Sequence, residues 1–208
     1  MQARKILQAQ ITKAWKSTIG GSYREQRINS ERGLQFYFCK ALLEEFNEDK
    51  KCEKNRRFLI EPRMSSPDTP DEYCYPDVVI YDTQKIIGIV ELKYAPRAKI
   101  NEIDYRKDMK TLQLAVTHAE KLVISNDRFC GIAKRKNREY SLAKDAVLCW
   151  AGVYTGKMHI NMPDDALSER LLLLSALTTE GKDPVAMSHS HSHLEPLILP
   201  LDADEQGN

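Results

Sequence analysis

No stretch of 18 consecutive apolar residues occurs in the 208-residue chain, so the sequence offers no membrane-spanning helix. No Cys-x-x-Cys pair occurs either. The five cysteines, Cys39, Cys52, Cys74, Cys130 and Cys149, are scattered and odd in number. That pattern fits neither a zinc ribbon nor a disulfide framework, and a reducing cytoplasm is the expected compartment. The N-terminal stretch MQARKILQAQITKAWK is basic but has no continuous apolar core of the kind a signal peptide carries. The net charge is only +1. The field of the whole molecule therefore does not draw a polyanion, and any nucleic-acid contact must come from local patches. Internal repeats are absent, and so are zinc-finger and helix-turn-helix signatures.

What is present is enough apolar residue, 42%, to build the core of one α/β domain. Leu7, Ile11, Ala14 and Trp15 recur at helical spacing over residues 3–17, and Gly20-Gly21-Ser22 is expected to break that helix. A second helix starts near Asn29-Ser30, either of which suits a cap; its stripe is Leu34, Phe38, Leu42 and Phe46. RRFLIEPRM reads as a strand ending at Pro62. SSPDTPDE reads as a loop in which Asp68 and Asp71 are turn residues. Tyr75 to Tyr81 and Ile86 to Tyr94 read as two strands of a hairpin. A helix follows, with Asp104 as cap and Tyr105, Met109, Leu112, Val116 and Ala119 as its stripe. AVLCWAGVY (146–154) is a further core strand, and DDALSERLLLLSAL (164–177) reads as a final helix. Past Gly181 the composition turns to Ser, His, Pro and acidic residues, which predicts a loosely ordered tail. Its HSHSH run (His189, His191, His193) is read as incidental. The expected organisation is an N-terminal helical extension over 1–24, a core over 25–155, a helix packed on it within 156–181, and a flexible tail over 182–208.

The hairpin poses the chemical question. Its strands are apolar, yet they carry Asp77, Glu91 and Lys93, and a buried charge costs free energy unless it is paired or bound to a metal. Side chains alternate along a strand, so Glu91 and Lys93 share a face. Asp77 joins them only if it lies opposite Glu91. A two-residue turn pairing Asp82 with Lys85 puts Asp77 across from Val90 instead, on the wrong face. Convergence therefore requires a longer loop, splayed strands, or a bulge near Gly88 that shifts the register. Two carboxylates at one point suit Mg²⁺, with Mn²⁺ as substitute. They would help activate a water against a phosphodiester. Lys93 would orient and stabilise charge rather than abstract a proton, because neighbouring carboxylates hold its proton on.

Pro76-Asp77, thirteen intervening residues and then Glu91-Leu92-Lys93 resemble the signature of the PD-(D/E)XK nuclease superfamily. The resemblance spans roughly residues 25–155. It implies an α/β, restriction-endonuclease-like core, a mixed central sheet flanked by helices. It also implies catalytic roles for Asp77, Glu91, Lys93 and the upstream Glu31, and a Mg²⁺ held by Asp77, Glu91, the Leu92 backbone carbonyl and Glu31. Lys110 and Gln113, on the helix after the motif, match positions where many members carry an extra polar residue. Arg97, Lys99 and the basic run of Lys134, Arg135, Lys136 and Arg138 are candidate phosphate contacts. The expected function is metal-dependent hydrolysis of nucleic acid, DNA first, with no membrane involved. A homodimer or a targeting partner protein is compatible with the small size. The alternative is a catalytically inactive protein of the same fold, acting as a nucleic-acid-binding or assembly module.

Overall fold

The computed structural model describes residues 2–48, 56–83, 85–99, 105–125, 138–155, 167–179, 182–190 and 193–198. It is an α/β protein with a mixed open sheet and, among the described residues, three α-helices: α1 (Gln2–Ser17), α2 (Glu31–Glu48) and α3 (Arg106–Thr117). The strands in chain order are β1 (Arg57–Ile60), β2 (Arg63–Ser65), β3 (Tyr73–Cys74), β4 (Val78–Asp82), β5 (Lys85–Lys99), β6 (Leu122–Ser125), β7 (Arg138–Thr155), β8 (Leu171–Thr179), β9 (Lys182–Ser190) and β10 (His193–Ile198). In space they run β1-β4-β5-β7-β6-β2-β3, with β8, β9 and β10 continuing from β7. The pairs β5–β7 and β7–β8 are parallel. The long β7 pairs with β5, and in addition its start pairs with β6 and its second half with β8.

Strand alternation divides the core. Val78, Ile80, Val90, Leu92, Cys149, Ala151 and Val153 face α1 and α2, where they meet Leu7, Ile11, Trp15, Leu34, Phe38 and Leu42. Val79, Ile89, Leu148 and Trp150 face α3, where they meet Leu112 and Ala115. Each fully buried large apolar side chain contributes on the order of 1.5–3 kcal/mol. Leu7, Ile11, Ala14 and Trp15 are all buried, so the expected N-terminal extension is a central helix of the core. Its chain does not break at Gly20-Gly21-Ser22 but continues as a π-helical turn, Thr18–Tyr23. Ser30 caps α2 as expected: its Oγ accepts the Gly33 N–H at 3.1 Å.

Several expectations need correction. The segment read as a final helix is β8 over Leu171–Thr179, preceded by one 3₁₀ turn, Ser168–Arg170. LLLLSA is buried residue after residue, because β8 has strands on both edges and is covered on both faces. Such a strand shows no alternation, and leucine's helix propensity misleads. The segment read as a tail supplies β9 and β10, with β9 antiparallel to β8. His189 falls in β9 and His193 opens β10, while His191 lies outside the described residues. RRFLIEPRM is two strands rather than one, separated at Glu61, whose φ is 46°. β5 runs through Ala95-Pro96 to Lys99. The proposed cap Asp104 lies outside the described residues.

Candidate active site

The hairpin solves the register problem with the bulge. Asp82 pairs with Lys85 around a tight turn in which Thr83 has a φ of 22°, and Tyr81 pairs with Ile86. Then the register shifts: Ile80 pairs with Gly88, Val79 with Ile89 and Val78 with Val90. Ile87 is the extra residue. A Cβ on Gly88 would stand 3.2 Å from Ile80 Cδ1 and 3.3 Å from Leu7 Cδ2, so glycine lets α1 pack closely against the bulge. One residue beyond Val78, Asp77 falls opposite Glu91.

Asp77 is fixed from three sides. Its carbonyl accepts the Gln35 amide from α2 at 3.1 Å and the Glu61 N–H at 3.1 Å. Its Oδ2 accepts the Leu92 N–H at 2.6 Å. Leu92 thus meets Asp77 through its amide. Glu31 sits one turn before Gln35 on α2 and reaches the same strand end. Its Oε2 accepts the Tyr94 N–H at 3.2 Å and lies 3.7 Å from Lys93 Nζ.

Glu91 is 5% exposed, and its Oε1 has no hydrogen-bond partner among the described residues. Burial, then the charges of Asp77 and Asp108, push its carboxyl up to about 10, against the smaller pull of Lys107 and Lys93. Burial likewise raises Asp77 to about 6, opposed by the Leu92 hydrogen bond and reinforced by Glu31 and Asp108. Cys74 stands near this group. Its thiol is pushed up to about 12 by burial and then by Glu91, so it stays a thiol.

Asp108 is the residue the sequence reading missed. It lies in the first turn of α3 and is 7% exposed. Its Oδ2 accepts the Trp150 indole N–H at 3.0 Å, and burial raises its carboxyl. A Cβ on Gly152 would fall 2.4 Å from the Trp150 ring, so glycine there is what allows the indole to lie flat and reach Asp108. A signal existed in the sequence: a core tryptophan needs an acceptor for its N–H, and Asp108 is an acidic residue opening the helix after the motif.

The structure therefore brings together Asp77, Glu91, Lys93 and Glu31, with Gln35 and Asp108 added. Among the described residues, no group of three or more His, Cys, Asp or Glu side chains is arranged to hold a metal ion. Glu31 is engaged with Tyr94 and Lys93 rather than turned to Glu91, which departs from the expectation of a third carboxylate ligand. Of the α3 candidates, Lys110 is exposed and Gln113 half-buried; among the described residues neither bonds to the carboxylates, and Asp108 occupies the inward position. Arg138 opens β7, at the far end from Gly152, which pairs with Lys93, so it stands away from the site. Lys134, Arg135 and Lys136 lie outside the described residues. Arg97 and Lys99 are exposed near the end of β5. No described helix is long and apolar enough to cross a membrane. Comparison with protein-family models, with curated proteins and with solved structures found no match to this chain.

Proposed function

We propose that this chain is a metal-dependent nuclease of the PD-(D/E)XK type, hydrolysing phosphodiester bonds in nucleic acid, with DNA as the first substrate to test. The observation that carries the reading is the bulged register, which sets Asp77 across from Glu91 while leaving Glu91 Oε1 buried without a partner. A buried carboxylate oxygen without a partner costs on the order of 1–3 kcal/mol. A hydrophobic side chain would fill the position at no such cost. The restriction-endonuclease-like reading of the fold rests on the same hairpin, with a Glu-bearing helix before it and a helix after it.

A divalent cation fits the residues present. Asp77 and Glu91 are oxygen ligands with too little positive charge near them, and Mg²⁺ takes one or two carboxylates together with waters and substrate phosphate. When bound, it would polarise the phosphate and lower the pKa of a coordinated water. The chain's own residues do the rest. Gln35 and the Glu61 and Leu92 amides hold Asp77 in place. Glu31 anchors Lys93, so that its ammonium stands by the strand end and offsets charge that develops on a phosphate. Glu31 is a positioning residue in this account. Asp108, held by the Trp150 N–H, adds negative charge beside Glu91 that a bound cation would offset.

The test is cleavage of single-stranded, duplex and branched DNA and RNA by the purified chain, with Mg²⁺ or Mn²⁺ and with chelator. Metal-dependent products that fall at least about 100-fold in Asp77→Ala and Lys93→Ala, both still folded, support the proposal. Intact substrates under every metal condition would refute it, and leave the non-catalytic module as the reading of this fold.

A further inference from the structure

Beyond the carboxylates, β5 leads into a cavity of about 610 Å³ lined by Tyr23, Pro96, Arg97, Thr155, Thr178 and Thr179. It lies outside the carboxyl ends of β5, β7 and β8, the three strands that run parallel. Open α/β sheets bind ligands in that crevice as a rule. Its size is within the roughly 300–1,000 Å³ of small-molecule sites. It also shares a strand with the candidate active site: Arg97 is four residues past Lys93, about 13 Å along an extended chain.

The lining has two characters. One is cationic and hydroxylic. Arg97 is exposed and, among the described residues, forms no ion pair with a carboxylate. The Thr155 and Thr179 hydroxyls have no hydrogen-bond partner among the described residues. The Thr178 hydroxyl is a structural tie, donating to the Pro96 and Tyr154 carbonyls at 2.6 and 3.2 Å, and it fixes the wall that carries Arg97. A guanidinium beside hydroxyls, none of them partnered among the described residues, is the donor set of a phosphate site. The other character is aromatic and apolar: Tyr23, packed edge-to-face on Tyr94 with ring centroids 6.2 Å apart, and Pro96. Tyr94 in turn ties the wall to the site, since its N–H donates to Glu31 and its hydroxyl to the Ile28 carbonyl.

We propose that this cavity is a nucleotide subsite, holding one nucleoside phosphate unit of the strand that is cut, its phosphate on Arg97, Thr155 and Thr179 and its base against Tyr23 and Pro96. The identity of that strand as a substrate rests on the nuclease reading above. A base stacked on an aromatic ring and a phosphate on arginine together recognise any nucleotide without reading its sequence, which suits a sequence that carries no zinc-finger or helix-turn-helix signature.

The experiment is calorimetric titration of the full chain with adenosine 5′-monophosphate, and separately with inorganic phosphate, in chelator. We expect the nucleotide to bind and the phosphate to bind at least tenfold more weakly. We expect Arg97→Ala to weaken nucleotide binding about tenfold, Arg97→Lys to weaken it less, and Tyr23→Ala to remove the preference over phosphate. Arg97 is exposed, so its variants fold. In the cleavage assay, Arg97→Ala should raise KM with kcat little changed. Absence of nucleotide binding, binding indifferent to Arg97, or phosphate binding as tight as the nucleotide would each overturn the subsite. Cleavage that persists beside such a result fails the subsite and leaves the nuclease reading standing. Arg97-dependent nucleotide binding by a chain that cleaves nothing does the reverse.

Discussion

β5 and β8 flank β7 on either side, run parallel to it, and are both almost wholly apolar where they are buried. They differ in how their polar groups are served. On β8 the buried polar residue is Ser175, whose hydroxyl shares a 2.8 Å hydrogen bond with the Tyr154 hydroxyl and whose carbonyl accepts the Trp15 indole N–H at 3.3 Å. On β5 the buried polar residue is Glu91, whose Oε1 has no partner and whose nearest charged company includes Asp77 and Asp108. β8 is complete as folded. β5 is complete only as an acid or with a cation. The same environment thus separates a strand that serves the core from one that serves a site.

The comparison breaks most sharply in activity. Glu91→Gln keeps the shape and removes the charge, and cleavage should fall at least about 100-fold. Ser175→Ala should cost about 1 kcal/mol of stability, the worth of a hydrogen bond, with cleavage unchanged in a standard metal-dependent assay. Equal activity losses in both would mean that Glu91 matters only as packing.

Stability against pH sharpens it next. Asp77 and Glu91 have raised pKa values in the fold, so their protonated forms stabilise it. That contribution is complete below about pH 4, the ordinary carboxylate range. It declines from there as the pH rises, and is lost once the pH has passed about 6 for Asp77 and about 10 for Glu91. In chelator the melting temperature should therefore fall by several degrees between pH 5 and pH 9. Glu91→Gln should flatten that fall, and Ser175→Ala should leave its slope alone. A wild-type curve that rises over this range would contradict the pKa assignments.

A further effect concerns the brace. Trp150→Phe keeps an aromatic ring but removes the indole N–H and some buried volume, leaves Asp108 without its donor, and should destabilise by about 1–3 kcal/mol. Thermal melts of Trp150→Phe and Trp150→Phe/Asp108→Asn, side by side, check it: the second change should recover part of the loss.

Much of the hairpin was legible in the sequence because alternation and turn length are local. That Asp77 meets Glu91 only through a longer loop, splayed strands or a bulge followed from where the two fall around a tight turn, and the bulge that the structure uses lies beside Gly88, where a missing side chain makes room. The stripes of α1 and α2 were legible for the same reason: burial on one face writes a period. β8 was not, since a strand covered on both faces and paired on both edges has no period, and its leucines argue for a helix. Asp108 was also hidden. Lys110 and Gln113 were the candidates on that helix, yet the orientation of α3 is set by Leu112 and Ala115 packing on the sheet, a tertiary fact that turns Asp108 inward. The partnerless state of Glu91 Oε1 is tertiary too, because it depends on what lies around the strand rather than along it.

The central claim is that Asp77 and Glu91 form a divalent cation site. Anomalous diffraction from a crystal soaked in Mn²⁺ tests it most directly. The account predicts a manganese peak bonded to carboxylate oxygens of both residues, at about 2.0–2.3 Å, that disappears in Glu91→Gln. A fully soaked crystal with no peak between these two carboxylates would contradict it.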